Sequence, residues 1–264
     1  MALSLGISTC PNDTFMFHAI MERRIDLQGL EFAVELHDVQ ELNRRAAAGV
    51  LDVAKVSCYA AASLGHSHET SPAGSAIGFG VGPLLLRRPG AGPLSRSSRV
   101  LCPGAMTTAG LLYRSFFPAG AEARNVVFSQ IMPALTNGDA DYGVVIHEGR
   151  FTYRDTGLEL EADLGALWEQ RHGLPLPLGC VIASRGLPAG VRAGAYDCIR
   201  RSIAYGLENR EEALVTMRRH AQELDDSVIW SHVELYVNSW SLDLGDEGRR
   251  ALQAFAALVR GVES

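Results

Sequence analysis

The sequence predicts an α/β chain folded as two similar lobes with a ligand cleft between them. Three observations carry that expectation. Short runs rich in β-branched residues alternate with segments of helical spacing through the first half of the chain. One segment plan is written twice: Ala48-Gly49-Val50-Leu51-Asp52-Val53-Ala54 and Asn137-Gly138-Asp139-Ala140-Asp141-Tyr142-Gly143 each close a helix on glycine, spend two residues and open a strand at an aspartate. The two glycines, and the two aspartates, are 89 positions apart. The third observation is where the polar residues fall. Cys10 to Thr14, Ser57, Thr107-Thr108 and His147 all follow apolar runs. In open α/β sheets, ligands bind beyond the carboxyl ends of the strands.

The elements follow in order. Leu3–Thr9 reads as a strand, and Phe15, Ala19 and Ile20 give the helical spacing after it. Asn12, Asp13 or Thr14 is expected to cap that helix. Leu30–Leu36 is a second strand. Val39–Ala48 is a helix closing at Gly49. Asp52–Val56 is a third strand, ending at Ser57, and Tyr59–Leu64 is a short helix. Ser75–Arg88 is glycine-rich and then apolar, and Pro89 to Ser98 has the turn chemistry of a domain junction. Arg99–Cys102 opens the second half. A helix through Leu111, Leu112 and Phe116 follows, then a strand at Asn125–Phe128 and a helix at Gln130–Leu135. The strand Val144-Val145-Ile146 runs into His147. Gly157–Gln170 holds a strand-like start and an amphipathic helix. Leu174 to Gly179, with Pro175 and Pro177, cannot be helical; it leads into a strand at Cys180–Ala183 that returns the chain to the first lobe. From Val191 onward the pattern is helical, with Trp230 and Trp240 expected in the core. The larger lobe is therefore expected from residues 1–90 with 180–264, and the smaller from 91–179, with crossings near 87–95 and 175–185.

Composition narrows the classes of function. A chain of 264 residues with 47% hydrophobic and 20% charged residues has material for a large core. A net charge of −6 argues against a nucleic-acid partner, though a local pocket can still take an anion. No stretch is apolar enough to span a bilayer. Met1 to Ile7 reads as a first strand rather than the head of a signal peptide. The five cysteines are scattered without a C-x-x-C pair, which reads as reduced and cytoplasmic. The sequence permits a homodimer.

His147 is the first candidate for chemistry, because a neutral imidazole near pH 7 suits a general base. The bland alternative is a histidine bonded to a backbone carbonyl. Its position opposite Ser57 and Cys58 in the repeated plan puts both strand ends on one cleft and favours the functional reading. Thr107 and Thr108 sit at a helix N-terminus, where backbone N–H groups and hydroxyls bind carboxylates. One hydroxyl suffices for a cap, so the pair leans toward a ligand. Lys55, the single lysine, invites a Schiff-base reading, but strand alternation is read as pointing it away from the cleft. His66-Ser67-His68-Glu69 has no third ligand at metal spacing and reads as a solvated loop. Ser57 with His147 lacks a G-x-S-x-G elbow, so a hydrolase triad is not expected. A cleft between two α/β lobes crossed twice by the chain is the layout of solute-binding proteins, whose lobes hinge around a ligand.

Several segments together are more specific than any of them alone. They are Ser8-Thr9-Cys10-Pro11-Asn12-Asp13-Thr14-Phe15, Lys55-Val56-Ser57, Thr107-Thr108-Ala109, Ile146-His147-Glu148 with Arg150-Phe151-Thr152-Tyr153, Pro175 to Gly179, and Leu235-Tyr236-Val237-Asn238. This set resembles the 1,4-dihydroxy-6-naphthoate synthases of the futalosine route to menaquinone, over nearly the whole chain. Cys58, Gly149 and Cys180 are less typical, and Cys58 is expected near enough to the cleft to perturb ligand fit. The resemblance implies a periplasmic-binding-protein-like (type II) fold. It implies conversion of cyclic dehypoxanthinyl futalosine, a small-molecule carboxylate, to 1,4-dihydroxy-6-naphthoate, with no metal or organic cofactor. It implies His147 as the base, with Glu148 or a carbonyl fixing its tautomer, and Lys55, Val56, Ser57, Thr107 and Thr108 as substrate-binding. Asn12, Asp13 and His18 are further candidates for contact with substrate. Chorismate dehydratase of the same pathway and a non-catalytic binding or sensor module are the alternatives.

Overall fold

The computed structural model describes residues 2–147, 149–221 and 225–263. The first lobe opens with β1 (Ala2–Ile7), α1 (Pro11–Met21), β2 (Glu31–Leu36), α2 (Val39–Ala47), β3 (Val53–Ser57) and α3 (Cys58–Ser63). The short strands β4 (His68–Thr70) and β5 (Ala76–Gly78) follow. Then come β6 (Leu84–Arg87), β7 (Val100–Cys102), α4 (Thr108–Phe116), β8 (Arg124–Asn125), α5 (Ile131–Thr136), β9 (Tyr142–Val145) and α6 (Gly149–Thr152). The second lobe ends with β10 (Glu159–Asp163) and α7 (Leu164–His172), and β11 (Leu176–Ser184) returns to the first. The helices α8 (Ala189–Glu208), α9 (Arg210–His220), α10 (Asp226–Tyr236), α11 (Ser239–Leu242) and α12 (Gly245–Glu263) complete the chain.

There are two sheets. One runs β2-β1-β3-β11-β4, with β5 also pairing β11; the other runs β10-β6-β9-β7-β8. In each, the α/β repeat supplies parallel neighbours: β1 lies beside β2 and β3, and β7 beside β8 and β9. Antiparallel strands complete each sheet, β11 on β3 and β6 on β9. The α/β two-lobed expectation therefore holds, and the repeated glycine–aspartate plan ends in the strands β3 and β9.

The strand partners move the crossings. Leu84–Arg87, expected in the first lobe, pairs with β9 and β10 in the second sheet. Leu176–Gly179, expected in the second lobe, pairs in the first sheet with β3 and β5. The chain crosses between Gly78 and Leu84 and again between His172 and Leu176. The Pro/Gly/Ser stretch at 89–98 is thus a loop between two strands of one sheet. At the first crossing Gly82 lies so close to Gly165 of α7 that an added Cβ would stand 2.2 Å from the Gly165 Cα. Only hydrogen fits there.

The first-lobe core packs Phe15, Phe17, Ile199, Ile203 and Met217 between β1, α1, α8 and α9. A second cluster passes under both lobes, joining Val56 and Tyr59 to Leu111 and Trp168. Phe255 of α12 meets Trp168 of α7 with ring centroids 5.6 Å apart. The last helix therefore touches the second lobe as well as the first. Trp230 is only partly buried and meets Phe15 edge-on at 6.2 Å. The strand expected at Asn125–Phe128 shrinks to Arg124–Asn125, followed by a 3₁₀ turn at Phe128–Gln130. That turn brings Phe128 against His147.

Candidate active site

The first-lobe wall begins where β1 ends. Proline at the first helical position starts α1 one residue after Cys10, so Asn12, Asp13 and Thr14 lie inside its first turn rather than capping it. Asp13 is buried and its carboxylate is fully engaged. It accepts from Ser8 Oγ at 2.6 Å, Ser8 N at 3.2 Å and Asn12 Nδ2 at 2.9 Å. Lys55 Nζ stands 3.6 Å from it and donates to the Gly74 carbonyl at 2.6 Å. Lys55 thus lines the cleft wall instead of turning away. It shares strand parity with Ser57, and residues two apart lie on one face.

Ser57 ends β3 and caps α3, accepting from Ala60 N at 3.0 Å. Its hydroxyl donates to the Met106 carbonyl of the second lobe at 2.7 Å. Asn43 of α2 braces the pair: its Oδ1 accepts from Ser57 N at 3.0 Å and its Nδ2 donates to Met106 O at 2.9 Å. Thr107 caps α4, accepting from Gly110 N at 3.1 Å and donating to Gly104 O at 2.7 Å. Thr108 donates across the lobes to Leu178 O at 3.0 Å. Both threonine hydroxyls therefore have structural partners and have committed their protons, and each keeps acceptor capacity only.

His147 follows the end of β9 in a turn. Its backbone is left-handed, φ 55°, an uncommon conformation for a residue other than glycine. The next turn of chain is α6. There Arg150 donates to Gly82 O at 2.5 Å and Gly80 O at 2.7 Å and meets Asp163 at 3.1 Å. This ties the His147 turn to the first crossing. Phe128 approaches the imidazole edge-on, centroids 4.9 Å apart. Cys10 of the first lobe reaches it from the other side of the cleft, Sγ to Nδ1 3.3 Å. Glu148 lies outside the described residues.

His147, Lys55, Val56, Ser57, Thr107 and Thr108 all line one cleft, with Asn12 and Asp13. His18 does not join them. It is buried against α9, with Nδ1 2.8 Å from Thr216 Oγ1, and burial lowers its pKa. Cys58 is buried in the core, where burial and the Cys180 thiol push its own thiol well up. His68 is buried in β4, not solvated in a loop, and no group of metal-ligating side chains occurs among the described residues. Reading the sequence missed Cys10, Asn43, Arg150 and Tyr236. Cys10, Arg150 and Tyr236 lie inside recognised segments, but helical spacing alone does not show that Tyr236 reaches the cleft. Beside Tyr236, His232 is almost fully buried, its ring 5.2 Å from Phe151 and 5.7 Å from Tyr236. Burial, with the field of His147, pushes its pKa down to about 3.

The fold and cleft have known counterparts. A family model described as menaquinone biosynthesis matches residues 3–260. The chain belongs to the menaquinone-biosynthesis family. A protein of Thermus thermophilus named 1,4-dihydroxy-6-naphthoate synthase is 46% identical over 95% of this chain and 91% of its own length. One of the same name from Streptomyces coelicolor is 38% identical over 95% and 90%. A solved structure from Archaeoglobus fulgidus, 29% identical, superposes with a TM-score of 0.93 over 99% of this chain and 98% of that one. The periplasmic aliphatic sulphonate binding protein SsuA of Escherichia coli is 13% identical with a TM-score of 0.67, covering 99% of this chain and 87% of that one, and shares the fold. The family fold is thus periplasmic-binding-protein-like. Among the described residues, no helix is long and apolar enough to cross a membrane.

Proposed function

We propose that this chain is a 1,4-dihydroxy-6-naphthoate synthase that acts on cyclic dehypoxanthinyl futalosine, with His147 as general base. The observation that carries the reading is the meeting, in one cleft, of His147 and the Thr107-Thr108 helix start from one lobe with Lys55 and Ser57 from the other, in a chain matched to the family over residues 3–260. In this reading the free backbone N–H groups at the N-terminus of α4, where Thr107 and Thr108 stand, hold the substrate carboxylate, and the two threonine hydroxyls, whose protons go to Gly104 O and Leu178 O, accept from substrate hydroxyls. Lys55, Val56 and Ser57 face the rest of the molecule. The imidazole takes a proton from the substrate, and elimination proceeds as the new ring becomes aromatic. Release of a sugar-derived fragment and aromatisation supply the driving force, so the residues have only to position the substrate and receive a proton. This is lyase chemistry that calls for no metal or organic cofactor. The proposed setting is cytoplasmic, with a small-molecule carboxylate as partner, and neither nucleic acid nor membrane.

The test is turnover by purified protein of cyclic dehypoxanthinyl futalosine and of chorismate in parallel. Dihydroxynaphthoate absorbance from the first supports the proposal. Turnover of chorismate alone would make the chain a chorismate dehydratase. Tight binding without turnover of either would make it a binding module.

A further inference from the structure

We infer that Cys10 is a positioning residue for His147, the first-lobe contact that seats the imidazole when the two lobes meet. The inference rests on the reading of His147 as the base. The two side chains are 137 residues apart in sequence and come from opposite lobes. The Cys10 sulfur lies 3.3 Å from Nδ1 and 3.8 Å from Nε2. A hydrogen bond in line with Nδ1 would leave Nε2, on the far side of that atom, much farther away. Near-equal distances put the sulfur against the ring between its two nitrogens. The thiol therefore bears on the orientation of the whole imidazole and not on one nitrogen alone.

His147 stands beyond the last ladder position of β9, in a left-handed turn. Phe128 packs edge-on against the ring, but it belongs to the same lobe and moves with it. Cys10 does not move with it. Its own place is set within the first lobe: its N–H donates to Ser8 Oγ at 3.2 Å, and its carbonyl accepts from Asp13 N and Thr14 N, both at 3.0 Å. Pro11 follows at the first helical position, and the Cys10 side chain makes no cap bond to α1. Cys10 is half-buried and lines the cleft, whereas Cys58, Cys102, Cys180 and Cys198 are buried in the core. The Ser57–Met106 and Thr108–Leu178 bonds hold the lobes together in this arrangement. Parting the lobes withdraws Cys10 from the imidazole, while Phe128 stays with it. Closure then does two things together: it encloses the substrate and fixes the direction of the base.

The experiment compares wild type, His147→Ala, Cys10→Ala and Cys10→Ser on cyclic dehypoxanthinyl futalosine, measuring kcat, KM and the pH dependence of kcat. Cys10→Ala is expected to lower kcat about tenfold or more with KM little changed, as misorientation of a catalytic group does. The limb of the pH profile that reports the base is expected to move, with Arg150 on the same turn and His232, whose pKa feels His147, left unaltered. Cys10→Ser, smaller but still polar, is expected to fall between. A purely structural role would lower the folded fraction and leave the per-site kcat and the pH profile where they were. If wild type is inactive, or His147→Ala is as active as wild type, the reading of the site fails. If both controls behave and Cys10→Ala keeps the wild-type kcat and pH profile, the inference about Cys10 alone is overturned. Should the alanine variant not fold, Cys10→Ser decides by the same readings.

Discussion

The two α/β halves build the same scaffold and finish it differently. In the first, Asp52 Oδ2 accepts from Ser4 N at 2.9 Å, tying the start of β3 to its neighbour β1. In the second, Asp141 Oδ2 accepts from Arg99 N at 2.9 Å, tying the start of β9 to its neighbour β7. The strand exits diverge. β3 runs into a helix whose cap is its own last residue, Ser57, so that exit offers a hydroxyl held in place. β9 stops short, turns through a left-handed His147 and makes only the four residues of α6. A capping exit and a histidine-bearing exit thus stand on equivalent strands. The scaffold is repeated, and the two halves part company in the two or three residues past each strand.

The largest test of that contrast is catalytic. His147→Ala is expected to lower kcat on the order of a hundredfold or more, the scale of a lost general base, while ligand binding persists. Ser57→Ala is expected to act mainly on stability and KM, through a lost cap worth about 1 kcal/mol and a lost bond to Met106. Steady-state kinetics with urea denaturation of both variants separates the two effects. Equal losses of kcat would break the contrast.

The aspartates come next. Asp141 is held by Arg88 and Arg99 as well as by the Arg99 N–H, and its carboxyl lies well below the usual carboxylate range, chiefly because of its bonds to Arg99. Asp52 accepts from Ser4, through its N–H and through Oγ at 3.0 Å. Asp141→Ala is expected to cost about 2–3 kcal/mol and Asp52→Ala about 1–2 kcal/mol, read as shifts in the urea midpoint. Because the folded pKa of Asp141 is depressed, its contribution is present above the ordinary value of 3.8 and lost as pH falls below it.

The lobes are also expected to differ in their response to mild acid. His18, His68 and His232 of the first lobe all have pKa values lowered chiefly by burial, against His172 in the second. A histidine kept neutral in the folded chain binds fewer protons than the unfolded chain does. Its contribution is therefore complete above the ordinary 6.5 and lost as pH falls below it, for His232 down to about 3. The urea midpoint is expected to fall between pH 7.5 and pH 5.5, and His232→Gln to make that fall shallower. An unchanged slope would mean that His232 does not report the burial of the first lobe.

Periodicity located most elements, because amphipathic spacing is local. Partnership was not legible: nothing in Leu84–Arg87 says that its ladder neighbours are Tyr142–Val145 and Glu159–Asp163. The site was half legible. His147, Ser57 and the threonines stand where strands end, which spacing can find. The parity that brings Lys55 to the cleft with Ser57 is present in the sequence, since residues two apart on a strand share a face. Cys10 stands at a strand end, but its contact with His147, 137 residues away, is not local, and helical spacing does not show that Tyr236 reaches the cleft.

The smallest effect tests the repeat itself. Gly49 and Gly138 end α2 and α5 with φ of 69° and 79°, and an added Cβ at either would find nothing within 4 Å. Space is therefore not what selects glycine at these two positions. The left-handed backbone is, since for any L-residue the Cβ then crowds its own carbonyl at a cost of roughly 1–2 kcal/mol. If the halves repeat in geometry and not merely in sequence, Gly49→Ala and Gly138→Ala each cost that amount and match within a few tenths of a kcal/mol. Asparagine at either position costs less than alanine, because its short polar side chain tolerates this conformation. Urea unfolding of the four variants gives the comparison. Unequal alanine costs, with equal asparagine costs, would show that one turn relaxes out of the left-handed region, and the equivalence of the two halves would then stop at the strands.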